Sequence, residues 1–123
     1  MKWICLILGG VTGTLARYGL SGAVYGLFGT RFPYGTLAVN VSGCLFVGFL
    51  AGLAEEKFLL GPNARVLLMA GFCGAFTTFS TLMLETAELF KSGETFSAFL
   101  NMAVSVALGF LFFRAGLWIA EIL

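Results

Sequence analysis

The sequence predicts an all-α membrane protein of four transmembrane helices, the third interrupted near its middle. Three observations carry this expectation. Of the 123 residues, 59% are hydrophobic and 11% charged, and the mean hydropathy is +1.00, far from the composition of a water-soluble globule. The apolar residues gather into four stretches, each near the ~20 residues that about 30 Å of hydrocarbon requires. One stretch carries Gly71-Phe72-Cys73-Gly74-Ala75-Phe76-Thr77-Thr78-Phe79-Ser80-Thr81 at its centre. Two glycines followed by hydroxyl, β-branched and aromatic residues make a poor continuous helix. Backbone left unpaired at that depth is tolerated only beside protein or a polar pathway, so the interruption points to transport.

The spans fall at roughly 3–28, 34–54, 65–90 and 97–120, within one membrane domain covering 1–123. In the first, the apolar run continues past any plausible cleavage site and contains Arg17, which predicts a retained span and no signal peptide. Arg17 is costly at mid-span unless it snorkels, faces water or pairs with a carboxylate. Glu85 and Glu88 on the third span are candidate partners, so a structural ion pair and a place at an anion vestibule both stand open. Arg114 is expected to snorkel to an interface. Gly9 and Gly13, Gly22 and Gly26, and Gly48 and Gly52 have the spacing that lets helix backbones approach closely.

The second span carries Asn40 within Gly35-Thr36-Leu37-Ala38-Val39-Asn40-Val41-Ser42-Gly43. A carboxamide in hydrocarbon needs partners; two readings are an interhelical bond serving packing and an NH₂ group donating to a passing anion. In the fourth span Asn101 and Ser105 are one turn apart and can extend a polar track beside Asn40 and the Thr77, Thr78, Ser80, Thr81 group. Amide and hydroxyl donors without fixed cations suit an anion that must enter and also leave. Phe79 lies among those hydroxyls, where the positive edge of its ring could meet an anion.

Both prolines sit in connectors, where they begin or end helices without kinking them. The chain lacks His and Asp, which removes the usual triads, proton shuttles and most transition-metal sites, and an enzyme is not expected. Cys5, Cys44 and Cys73 are isolated in apolar segments and read as small core residues. A net charge of +1 with scattered Lys and Arg offers nucleic acid no basic face. With four spans, Lys2, Lys57 and Arg65 lie on one side and Arg31 and Lys91 on the other, a weak orientation signal. Charge alone leaves open a single orientation and insertion both ways, the second allowing two opposed copies to pair about an axis in the membrane plane.

The set Gly13-x-x-x-Arg17-Tyr18, Pro33-x-Gly35-Thr36-Leu37-x-x-Asn40-x-x-Gly43, and Gly71-Phe72-x-Gly74-x-x-Thr77-Thr78-Phe79-Ser80-Thr81 followed by Glu85 strongly resembles the Fluc (CrcB) family of fluoride channels. The match spans essentially the whole chain. The resemblance implies an antiparallel, dual-topology homodimer in the cell membrane, with two pores that export fluoride passively from the cytoplasm and confer fluoride resistance. It places Asn40 and the ring edge of Phe79 in the pore, with Thr78, Ser80, Thr81, Ser105 and Asn101 in supporting roles and Arg17 and Glu85 at a vestibule or in an ion pair. It also implies a structural sodium ion at the dimer axis, held by the backbone carbonyls of Gly74 and Thr77 from each copy.

The chain departs from the commonest family pattern at Leu82, where many members carry a second Phe, and at Asn101, where some carry an aromatic hydroxyl. An alternative is a small multidrug-resistance-type exporter coupled to protons. Such proteins use a carboxylate in the first span, and residues 3–28 contain no acid. A non-transporting assembly subunit is a third class, which the interrupted helix and the polar track disfavour.

Overall fold

A computed structural model describes residues 1–123, and every regular element in it is helical. Four helical segments are long and apolar enough to cross a membrane: Lys2–Phe28, Tyr34–Glu56, Pro62–Lys91 and Thr95–Ile122. They match the four expected spans, with ends displaced by a few residues, as hydropathy windows average over helix termini.

Two spans contain wide turns that nothing in the sequence announced. The second is α-helical over Tyr34–Ala51 and closes as a π-helix over Gly52–Glu56. The third begins as α-helix at Pro62–Arg65, widens to a π-helix over Val66–Cys73, and returns to α-helix at Gly74–Phe76. Thr77 (φ −82°, ψ 155°) and Thr78 (φ −148°, ψ 118°) are extended, and α-helix resumes over Phe79–Lys91.

The connectors follow local chemistry. Gly29 ends the first span at φ 81°, a left-handed conformation that glycine adopts without a Cβ clash. Pro62 opens the third span at a position whose N–H has no helical partner to lose. Between the second and third spans Phe58 takes φ 53° despite its side chain. Arg65 secures this turn by donating to the carbonyls of Leu60 and Ala54.

Lipid offers no hydrophobic drive for helix association, so small residues that admit a neighbouring backbone decide the packing. A Cβ on Gly9 would lie 2.2 Å from Leu67 O and one on Gly13 would lie 2.3 Å from Phe72 O, which locks the first span against the π-helical part of the third. Gly48 abuts the Phe113 carbonyl, Gly52 abuts Ala120, and Gly116 abuts the Leu45 carbonyl, joining the second span to the fourth. Gly22 and Gly26 differ: a Cβ at either meets nothing within 4 Å. Their expected packing role is therefore not exercised within one copy of the chain. Large apolar side chains such as Ile7, Leu15, Phe99 and Phe110 are exposed on the outer faces, as lipid contact requires.

Candidate functional site

The second span receives the extended Thr77–Thr78 segment with four residues on or near one face. Gly35 leaves room for the Tyr25 ring, since a Cβ there would lie 2.4 Å from it; Gly43 leaves room for Thr77, whose Cγ2 would be 2.3 Å away. Thr36 and Asn40 lie between them and carry the polar contacts. Asn40 Oδ1 accepts from the Thr78 N–H at 2.7 Å and Asn40 Nδ2 donates to the Thr78 carbonyl at 2.9 Å. One carboxamide thus satisfies both backbone groups of a non-helical residue at membrane depth, where each unpaired group is expensive.

Thr78 also caps the helix that follows. Its Oγ1 accepts from the Thr81 N–H at 3.3 Å and donates to Thr81 Oγ1 at 3.0 Å. These two diversions have a shared result. Thr78 N–H and Thr81 N–H are the i+4 donors that a continuous helix would direct to the carbonyls of Gly74 and Thr77, and both point elsewhere. Neither carbonyl accepts any other hydrogen bond from the chain. Thr77 itself is tied back through N–H and Oγ1 to the Cys73 carbonyl, at 3.0 and 2.9 Å.

Two grooves meet at this segment. A polar one of about 170 Å³ is lined by Thr14, Arg17, Ser21, Thr36, Thr78 and Thr81 among others. A more apolar one of about 250 Å³ is lined by Asn40, Cys44, Thr77, Thr78, Phe79 and Leu82 among others. Phe79 is 74% exposed and lines the second groove. Ser80 is exposed on the same turn. Leu82, at the position where an aromatic ring was a family expectation, is buried and lines the same groove.

Glu85 takes hydroxyl partners from two other spans: Thr36 Oγ1 donates to its Oε1 at 2.8 Å and Tyr25 Oη donates to the same oxygen at 3.1 Å. Its Oε2 is buried without a partner. The expected alternative of an Arg17–Glu85 ion pair is not what forms; Arg17 faces the polar groove and Glu85 is held by hydroxyls. Glu88 is exposed and lines a wider opening of about 360 Å³ with Arg31, Glu85 and Glu94.

Asn101 and Ser105 do not join Asn40. Asn101 is fully buried and donates from Nδ2 to Thr86 Oγ1 at 3.0 Å, while Thr86 Oγ1 donates to the Leu82 carbonyl at 2.7 Å. Asn101 Oδ1 and Ser105 Oγ are buried without partners. Both residues line neither groove, because the face they share is turned toward the second half of the third span. Sequence reasoning missed Tyr25, Thr36 and Thr86. For Thr36 and Thr86 the only signal was an intramembrane hydroxyl within a turn of an amide or an acid, and Tyr25 carried none.

The helices and the arrangement of buried polar groups define a multi-pass membrane protein with a hydroxyl-rich segment in its third span. The family model described as CrcB-like protein, Camphor Resistance (CrcB), matches residues 4–117, and the chain belongs to this family. It is 43% identical over 122 residues to a protein named fluoride-specific ion channel FluC from Maridesulfovibrio salexigens, covering 99% of this chain and 97% of that protein. A protein of the same name from Dehalococcoides mccartyi is 41% identical over 120 residues, covering 98% and 92% of the two chains. Another, from Methylococcus capsulatus, is 42% identical over 123 residues; all of this chain matches 52% of that longer protein. These relatives are named as channels, and the chain is not an enzyme.

Proposed function

We propose that this chain forms a fluoride-selective ion channel that lets fluoride leave the cytoplasm passively. The observation that carries the reading is its similarity along nearly its whole length to a protein named for that activity. The geometry supports it. Fluoride holds water tightly, so a pore must replace several strong hydrogen bonds with its own donors while staying too narrow for chloride. Arg17 draws the anion into the polar groove, where the hydroxyls of Thr78 and Thr81 replace water; Asn40 lines the groove beyond, and Ser80 is exposed on the turn between Phe79 and Thr81. The ring edge of Phe79 then presents partial positive charge. Asn101 supports this wall from behind, through Thr86 and the carbonyl of Leu82, a residue that lines the second groove, and Ser105 lies one turn from Asn101 on the same helix.

The interruption of the third span is part of this proposal, as is its pairing with a second, oppositely inserted copy. The carbonyls of Gly74 and Thr77, left without hydrogen-bond donors, fit a hard cation that takes oxygen ligands. A Cβ on Gly74 would meet only Met69 O at 3.9 Å, so the space beside that carbonyl is open to a partner. Sodium bound there by two carbonyls from each copy would hold the dimer together without entering the fluoride path. Proton-coupled export of a cation finds no support, since the first span carries no acid.

Fluoride efflux from liposomes containing the purified protein, with chloride as control, tests the reading. Rapid loss of fluoride and retention of chloride is expected; no fluoride flux, or equal flux of both, refutes it.

A further inference from the structure

Thr78 is the residue common to both grooves, lining the one that holds Arg17 and the one that holds Phe79. Its hydroxyl proton is directed to Thr81 Oγ1 at 3.0 Å, while its backbone is fixed by the two Asn40 bonds. Building on the channel reading, we propose that Thr78 is the residue that hands fluoride from one groove to the other, and that Asn40 is chiefly a positioning residue acting through Thr78.

The chemistry is a swap of acceptors. As fluoride reaches the shared wall, the Thr78 hydroxyl turns its proton from Thr81 Oγ1 to the anion, exchanging one hydrogen bond for another. The Thr81 oxygen keeps its own proton, which can be given to the same ion from the Arg17 side. Because one bond is lost as another forms, the anion gains donors without a deep well, which a conducting site needs. Asn40 has one N–H left after bonding Thr78, so its first role is to hold the backbone that aims this hydroxyl. The bonds from Asn40 reach only the backbone of Thr78, and side-chain replacements at 78 therefore leave the clamp in place.

The test is fluoride efflux from liposomes, read above the leak of protein-free vesicles, for the full chain and for Thr78→Val, Thr78→Ser and Thr12→Val. Thr12 bonds back to its own helix on an exposed face, and its replacement controls for loss of any intramembrane hydroxyl. Thr78→Val is expected to lower fluoride flux at least about tenfold, and Thr78→Ser to stay within about threefold of the unmodified protein. Thr78→Ala serves in the same assay if Thr78→Val does not elute as a folded protein. Adding Asn40→Ala to Thr78→Val is expected to change flux by less than about threefold, since the two act through one group. Flux in both Thr78→Val and Thr78→Ala near that of the unmodified protein, or Thr78→Ser as slow as Thr78→Val, overturns the assignment of Thr78. A further tenfold loss in the double variant overturns the positioning role of Asn40. An unmodified protein that moves no fluoride refutes the channel reading itself, and this inference with it.

Discussion

Asn40 and Thr78, 38 positions apart, exchange two hydrogen bonds of 2.7 and 2.9 Å between one side-chain amide and one main-chain residue. The pairing resembles a rung between two strands and lets the third span stop being helical for two residues without leaving Thr78 unpaired. Removing the amide exposes the Thr78 N–H and carbonyl together. Asn40→Ala is expected to destabilise the protein by about 2–4 kcal/mol, as two orphaned groups at ~1–3 kcal/mol each imply with partial relaxation. Unfolding in mixed detergent, followed by circular dichroism, measures it; a change below about 0.5 kcal/mol contradicts the clamp.

Glycines 13 and 22 look alike in the sequence and differ in the fold. Gly13→Ala drives a Cβ to 2.3 Å from the Phe72 carbonyl and is expected to cost about 1–3 kcal/mol, whereas Gly22→Ala meets nothing in the chain and should leave protomer stability within about 0.5 kcal/mol. The same unfolding assay compares them, and equal losses would mean that the first and third spans do not pack as described.

Glu85 is bonded to Thr36, and Arg17 faces a separate groove. Double-mutant cycles using Thr36→Val with Glu85→Gln and Arg17→Gln with Glu85→Gln separate the two relationships. The first pair is expected to couple by about 1 kcal/mol and the second by less than about 0.5 kcal/mol. Stronger coupling between Arg17 and Glu85 would restore the ion pair.

Gly74→Ala is tolerated by the chain on its own, because the new Cβ meets only Met69 O at 3.9 Å. Any loss must come from what lies beyond the protomer. With a sodium-linked dimer, this variant is expected to shift the protein toward monomer in size-exclusion chromatography with light scattering, and replacing sodium with N-methyl-glucamine should do the same to the unmodified protein. A dimer indifferent to both changes removes sodium from the assembly.

Phe79→Ile keeps an apolar side chain on the groove but removes the ring edge. Fluoride efflux is expected to fall at least about tenfold, equivalent to ~1.4 kcal/mol at the barrier, with folding unaffected because the ring is 74% exposed. Unchanged efflux would take the aromatic edge out of the mechanism.

Hydropathy was enough to find the four spans, since length and apolarity are set by the bilayer and need no tertiary knowledge. The extended residues Thr77 and Thr78 fall in the segment whose composition disfavours helix. The partners were not legible in the same way. Nothing local says that Asn40 reaches residue 78, or that Tyr25, Thr36 and Glu85 from three spans converge, because those contacts depend on rotation of each helix about its axis. The same uncertainty hid the partner of Asn101: spacing put it on one face with Ser105, and within one copy of the chain its amide bonds Thr86 and not Asn40. The π-helical stretches at Gly52–Glu56 and Val66–Cys73 shift that rotation further and leave no signature in an apolar run.

The diverted donors at Thr78 and Thr81 have a consequence for biogenesis. A solitary copy in the bilayer carries two bare main-chain oxygens, at Gly74 and Thr77, which hydrocarbon cannot satisfy. On the proposed reading, newly made chains are incomplete until something electropositive covers those oxygens. If that cover comes from pairing with a second copy, as proposed above, maturation becomes a second-order event, and yield should rise steeply with the density of chains in the membrane.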